Sequence, residues 1–274
     1  MKLKTTIVLL CSVTCFGLVQ SAASRGEKVD IGGYKLYYQI SGKGSPTVIM
    51  DAGRSLDSTT WRRVWPAVSE FTRVLIYDRA GLGKSDPGPQ PRTSRKVAEE
   101  LYALLTNAGI HGPYILVGHS FGGINMRMFA DRYPKQVAGM VLVDTNHPDQ
   151  MSLFLERVPP EDRAILLKKS VPPPKSEFDT ELSLEEVRAT RPLGDIPLVV
   201  LAEGIPVWTY LSAKGLQAAE QAWLELQRNL AKLSSDSVFI VAEKSGHFIQ
   251  LDQPDLVINA IRQVVSKARR NQAK

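Results

Sequence analysis

The chain predicts a single α/β domain, a mostly parallel sheet covered by helices on both faces, and three observations carry that prediction. Short apolar runs alternate with segments of helical spacing along most of the length, the pattern of successive βα units. A Gly-x-Ser-x-Gly pentapeptide, Gly118-His119-Ser120-Phe121-Gly122, stands at one of these strand-to-helix junctions. The 274 residues, 43% hydrophobic and 23% charged, suit one large core with an insertion and are too few to require two.

Taken in order, residues 29–31 and 34–40 flank Gly32-Gly33 and predict a β-hairpin. Residues 47–50 read as a short buried strand, 61–71 as a helix, 74–77 as a strand and 94–107 as an amphipathic helix opening at a Ser or Thr cap. The apolar run 114–117 leads into the pentapeptide, which is followed by a helix over 124–133 and a strand over 140–143. Regularity then breaks. Roughly fifty residues rich in proline and charge, including Pro159-Pro160 and Pro172-Pro173-Pro174, separate Asp144 from the next strand at 198–201. Within them Met151, Leu153, Phe154 and Leu155, with Ile165, Leu166 and Leu167, supply an apolar face, so the insertion 146–195 is expected to fold rather than serve as a linker. Residues 216–233 predict a long helix with Trp223, Leu226, Leu230 and Leu233 on one packing stripe. A last strand follows over 238–242, and Pro254 opens a C-terminal helix. Disorder is expected only in the basic tail, 267–274.

The N-terminus has its own logic. Lys2 and Lys4 precede an apolar stretch over 7–19 and the small residues Ser21-Ala22-Ala23, the order of a secretory signal peptide cleaved after Ala23. The apolar run falls short of the roughly 18 to 20 residues of a membrane span, so no stable insertion is expected after cleavage. The expectation is a secreted or periplasmic protein. Cys11 and Cys15 are the only cysteines and lie inside this leader, so the mature chain, 24–274, would contain no thiol. The formal net charge of +6 is spread along the sequence rather than clustered, and no nucleic-acid motif accompanies it. Metal-ligand spacings and dinucleotide motifs are likewise missing, so no cofactor and no metal is expected.

The pentapeptide resembles the nucleophile elbow of the α/β-hydrolase family, in which a tight turn holds a serine above the sheet. Glycines are needed on both sides because a Cβ at 118 or 122 would meet neighbouring backbone. The likeness extends to Gly246-His247 far downstream and to residues 77–85, similar to the loop these enzymes carry after their fourth strand, and it runs from about Val29 to Val265. It implies an α/β-hydrolase core in two parts, 24–145 and 196–274, with 146–195 as a cap insertion that shapes the substrate.

A serine hydroxyl needs a base to take its proton and a carboxylate to orient that base. Of four histidines, His119 adjoins Ser120 and should point away from it, His111 lies at the opposite sheet edge, and His147 follows the sixth strand. Family order is Ser, acid, His, which selects His247. The acid has two candidates. The loop after the seventh strand reads Ala202-Glu203-Gly204 and lacks the usual Asp, whereas Asp144 ends the sixth strand, the other position the acid takes in this fold, as in haloalkane dehalogenases. Asp144 is preferred, with Glu203 as the alternative. The resemblance also implies an oxyanion hole made of the backbone N–H of Phe121 and that of Arg54, where relatives carry His-Gly and this chain carries Ala52-Gly53. The Arg54 side chain is expected to be solvated at the surface.

The reaction so implied is acyl-enzyme cleavage of an ester, or a related lactone, thioester or amide, of a small to medium organic molecule. Serine at the elbow argues against dehalogenase and epoxide-hydrolase chemistry, which uses aspartate there. Alternatives on the same scaffold are a cofactor-free haloperoxidase, an aminopeptidase or a carbon–carbon bond hydrolase. A catalytically silent binding protein is the alternative of a different class. The oligomeric state is not encoded in any feature of the sequence.

Overall fold

The computed structural model describes residues 26–170 and 177–273. The predicted leader with its two cysteines and the proline run 172–174 lie outside them. Alternating residues build the hairpin of β1 (Glu27–Asp30) and β2 (Lys35–Ser41), and β3 (Thr47–Asp51) follows with every residue buried. The remaining strands are β4 (Val74–Tyr77), β5 (Tyr114–His119), β6 (Val137–Val143), β7 (Leu198–Glu203) and β8 (Ser237–Ala242). They form one sheet in the order β1-β2-β4-β3-β5-β6-β7-β8. β1 and β2 run antiparallel to their neighbours and all later pairings are parallel. Parallel strands joined by helices put all their carboxyl ends on one edge, where open α/β sheets bind ligands.

Helices cover both faces. On one lie α2 (Ser94–Asn107), capped by the Thr93 hydroxyl, α3 (Phe121–Arg132) and α7 (Ala213–Ala231). On the other lie α1 (Trp65–Ser69) and α9 (Pro254–Gln272). Some elements differ from the sequence expectation. The helix over 61–71 is a 3-10 turn, Ser58–Trp61, followed by the short α1, because Pro66 brings no N–H to join the two. The tail is ordered as far as Gln272. Val264, Val265 and Ala268 are buried against the sheet, Lys267 pairs with Asp236, and Arg269 donates to the Ser45 and Phe71 carbonyls at 2.8 and 3.0 Å. A buried valine contributes about 1.5–3 kcal/mol, enough to offset the roughly 1–2 kcal/mol of backbone ordering per residue.

Between β6 and β7 stand α4 (Gln150–Arg157), α5 (Pro160–Ser170) and α6 (Thr180–Arg188). Phe154, Val158 and Leu166 pack with Trp208 and Trp223 in an aromatic-rich cluster. Phe178 and Val187 pack instead with Val97, Phe121 and Ile124. The insertion is therefore held to the core at two separate places. None of the described helices is long and apolar enough to cross a membrane.

Candidate active site

β5 ends at His119 and α3 begins at Phe121, leaving Ser120 alone in the turn with φ 52° and ψ −124°. A left-handed φ costs a non-glycine residue about 1–3 kcal/mol and persists only where the surroundings hold it. Here the Ser120 N–H donates to the Val143 carbonyl at 3.0 Å. Close packing does the rest. A Cβ on Gly118 would stand 2.5 Å from Gly123 Cα, and one on Gly122 would stand 2.5 Å from the Asp51 and Ala52 carbonyl oxygens.

His247 lies in the loop after β8, which is tied to the loop after β7 by the Gly204 and Ile205 amides donating to the Ser245 carbonyl at 3.0 Å. Its Nδ1–H donates to Asp144 Oδ2 at 2.6 Å, which leaves Nε2 as the acceptor facing Ser120 Oγ at 2.9 Å. Asp144, fully buried at φ 43°, also accepts at Oδ1 from the Glu203 N–H and from Trp223 Nε1, each at 2.9 Å. Three donors converge on this carboxylate. Trp223 belongs to the stripe read from sequence as packing, and its indole N–H is a contact that periodicity alone does not reveal.

Phe121 is the first residue of α3, a position whose N–H has no acceptor within the helix. The loop after β3 lies against the serine: a Cβ on Gly53 would come 3.2 Å from Ser120 Cβ. Arg54 follows, and its side chain departs from the solvated expectation. The guanidinium carbon sits 4.7 Å from the Phe121 ring centre, and burial lowers its pKa while the nearby Glu177 carboxylate opposes that shift. A cation over an aromatic face is attracted to it, which explains the folded-back conformation.

The other histidines are engaged elsewhere. His119 donates from Nε2 to the His247 carbonyl at 2.9 Å, and burial followed by repulsion from His247 pushes its pKa down to about 3. His147 donates from Nε2 to Asn229 Oδ1 at 3.1 Å and lines a separate surface groove with Asp149 and Arg228. His111 is exposed ahead of β5. Asn146 is a neighbour that sequence reasoning missed. Its Oδ1 lies 3.2 Å from Ser120 Oγ and its Nδ2 donates to Gln150 Oε1 at 2.9 Å. Together with Val207, Trp208, Trp223 and Phe248, these two amides line a groove of about 630 Å³ beside His247.

The profile of the Alpha/beta hydrolase family matches residues 48–260. The chain belongs to this family. Hydrolase activity of the α/β-hydrolase kind goes with it. A relative, the uncharacterised protein YqjL of Bacillus subtilis, is 32% identical over 224 residues, 81% of this chain and 85% of its own. Among solved structures, a thermophilic esterase from Thermogutta terrifontis matches with a TM-score of 0.63 at 22% identity, covering 89% of this chain and 99% of that one. Carboxylesterase CesB from Bacillus subtilis matches with a TM-score of 0.60 at 18% identity, covering 88% and 91%. At such identities the likeness is one of fold.

In this α/β-hydrolase the second carboxyl considered from sequence, Glu203, offers Asp144 its main-chain amide. Its side chain is buried, and neither carboxyl oxygen has a hydrogen-bond partner among the described residues. Burial first, then the charge of Asp144, pushes the Glu203 carboxyl up to about 10, so it is neutral at pH 7. Asp144, Glu203 and His247 bring one potential ligand atom each within 4.8 Å of one another, but Asp144 already accepts three hydrogen bonds.

The raised value has a measurable consequence. An unfolded glutamate ionises near 4.5, so above that pH the unfolded chain has released a proton that the folded chain retains. Stability then falls as pH rises, by roughly 1.4 kcal/mol per unit while the two states differ by a full proton. Glu203→Gln keeps the shape of the neutral acid and removes the titration. Its thermal midpoint is expected to exceed the parent's by a margin that widens from about pH 5 to pH 9, and a constant margin across that range would contradict a neutral Glu203.

Proposed function

We propose that this protein is an exported serine hydrolase that cleaves carboxylic esters of small to medium organic molecules through an acyl-enzyme. The observation that carries the reading is the continuous hydrogen-bond line from Ser120 Oγ through His247 to Asp144, at 2.9 and 2.6 Å. In the first half-reaction His247 Nε2 takes the Ser120 proton as Oγ bonds to the substrate carbonyl carbon, and Asp144 stabilises the imidazolium. The oxyanion so formed is held by the N–H groups of Phe121 and Arg54. Collapse breaks the carbon–oxygen bond, and His247 returns its proton to the departing alcohol. Water, deprotonated by the same histidine, then hydrolyses the acyl-serine to the free acid.

Esters are preferred over amides because an alkoxide asks least of leaving-group protonation. Lactones and thioesters share this chemistry. The aromatic walls of the groove beside His247 suit an organic substituent, and the β6–β7 insertion acts as the cap that limits its shape. The esterase and carboxylesterase among the structures of like fold agree with this reading. Export rests on the leader over residues 1–23.

One experiment tests both parts. Protein recovered after expression of the full reading frame is treated with a fluorophosphonate and weighed intact, then assayed on an ester, lactone and amide panel. The expected mass is that of a chain beginning near Ser24 with a single phosphonyl group on Ser120. An unmodified Ser120 would remove the acyl-enzyme, and a retained leader would mean an anchored protein.

A further inference from the structure

The motif after β4 contains Arg79, whose side chain the reaction does not use and which is nevertheless completely enclosed. Its guanidinium reaches the loop that follows β3. Nη1 donates to Asp51 Oδ1 at 2.5 Å and to the Ala52 carbonyl at 2.7 Å, and Nη2 donates to the Gly53 carbonyl at 2.7 Å. The remaining side of the fork faces Glu177: Nε to Oε1 at 2.5 Å and Nη2 to Oε2 at 3.1 Å. Glu177 comes from the β6–β7 insertion, just before α6. It also accepts the Ser55 N–H at 3.0 Å, and Ser55 is one of three non-glycine residues with a left-handed φ among the described residues, here 59°. Asp51 passes the connection on, accepting from Asn125 of α3 at 2.8 Å.

The direction of these bonds matters for the oxyanion. The Gly53–Arg54 peptide is trans, so its C=O and N–H point to opposite sides. With the Gly53 carbonyl turned to Arg79 and to the Leu56 N–H at 3.1 Å, the Arg54 N–H is turned the other way. Arg79 therefore sets the aim of the second donor, and a buried guanidinium holds one position only while its charge is matched on every side. Asp51 matches one side, and the other depends on a residue of the insertion.

We propose that Glu177 is a positioning residue that locks the oxyanion loop through Arg79, so that seating of the insertion and alignment of the donor at Ser120 are a single coupled event. The proposal rests on the serine-hydrolase reading. It differs from a purely structural ion pair, which would govern stability alone, and from a substrate contact, which would govern affinity.

Steady-state kinetics and thermal melts of the parent, Glu177→Gln and Glu177→Asp separate these, with rates taken well below each variant's Tm. Loss of one oxyanion donor lowers kcat by roughly 10² to 10³-fold. Glu177→Gln is expected to approach that loss with KM changed less than about threefold, and Glu177→Asp, which keeps the charge on a shorter arm, to recover part of kcat. Unchanged kcat with a lowered Tm, or a raised KM alone, would overturn the proposal. Phosphonate labelling distinguishes the two levels of failure. A parent that is never labelled at Ser120 defeats the serine-hydrolase reading and this one with it, whereas a labelled parent with unaffected variants defeats only the role of Glu177.

Discussion

Ser120→Ala is expected to lower kcat by roughly 10⁵ to 10⁶-fold while the protein remains folded, since enzymes of this mechanism lose about that much when the nucleophile is removed. Ser120 Oγ is the hydroxyl aligned with His247 Nε2 among the described residues, and without a bond from Oγ to carbon there is no acyl-enzyme. The fold should tolerate the change because the constraint at this position is the backbone. Alanine meets the same left-handed φ as serine, the Ser120 N–H bond to Val143 is made by main chain, and Gly118 and Gly122 still provide the space. Circular dichroism and the thermal midpoint should match the parent. Retention of as much as a hundredth of the parent kcat would assign the nucleophile elsewhere.

Asp144→Asn should cost roughly 10³ to 10⁴-fold in kcat, and the structure supplies the reason for a loss so large from one atom. Two N–H groups, from Glu203 and Trp223, already point at Oδ1. An asparagine must keep its carbonyl oxygen there and turn its NH₂ toward His247 Nδ1. That geometry demands an Nδ1 acceptor, so the imidazole carries its proton on Nε2 and faces Ser120 without a free lone pair. The charge that stabilises the imidazolium is lost as well. Glu203→Gln, which replaces a neutral acid by a neutral amide, should change kcat less than about tenfold. Reversal of this order would transfer the role to the end of β7, and two mild effects would mean that the carboxyls substitute for each other.

Local patterns made much of the architecture legible. The amphipathic helix over 94–107 forms with those bounds, and the hairpin about Gly32-Gly33, the short buried strands and the Pro254 helix start follow expectation, because spacing, capping and turn chemistry act within a few residues. Where a distant surface decided the outcome, local reading fell short. The basic tail lacks an apolar anchor when its last residues are read alone, yet Val264, Val265 and Ala268 order it by packing on the sheet. The helix over 61–71 shortens at Pro66, and α3 starts three residues early because Ser120 itself is its cap position.

The amino-acid order by itself determined the strand–turn–helix around Ser120 and the chain order of serine, carboxylates and histidine, since steric demands on adjacent residues settle a tight turn and glycine alone meets them. It left Asp144 and Glu203 open, two carboxyls 59 residues apart at the ends of neighbouring strands. Only the tertiary structure gives them different surroundings, bringing Trp223 Nε1, the Glu203 amide and His247 onto Asp144 while enclosing the Glu203 side chain without a partner among the described residues. Asn146 beside Ser120, and Glu177 against Arg79 across 98 residues, belong to the same class. Charge state and hydrogen-bond geometry depend on what surrounds a group in space, and those surroundings exist only after distant segments have packed together.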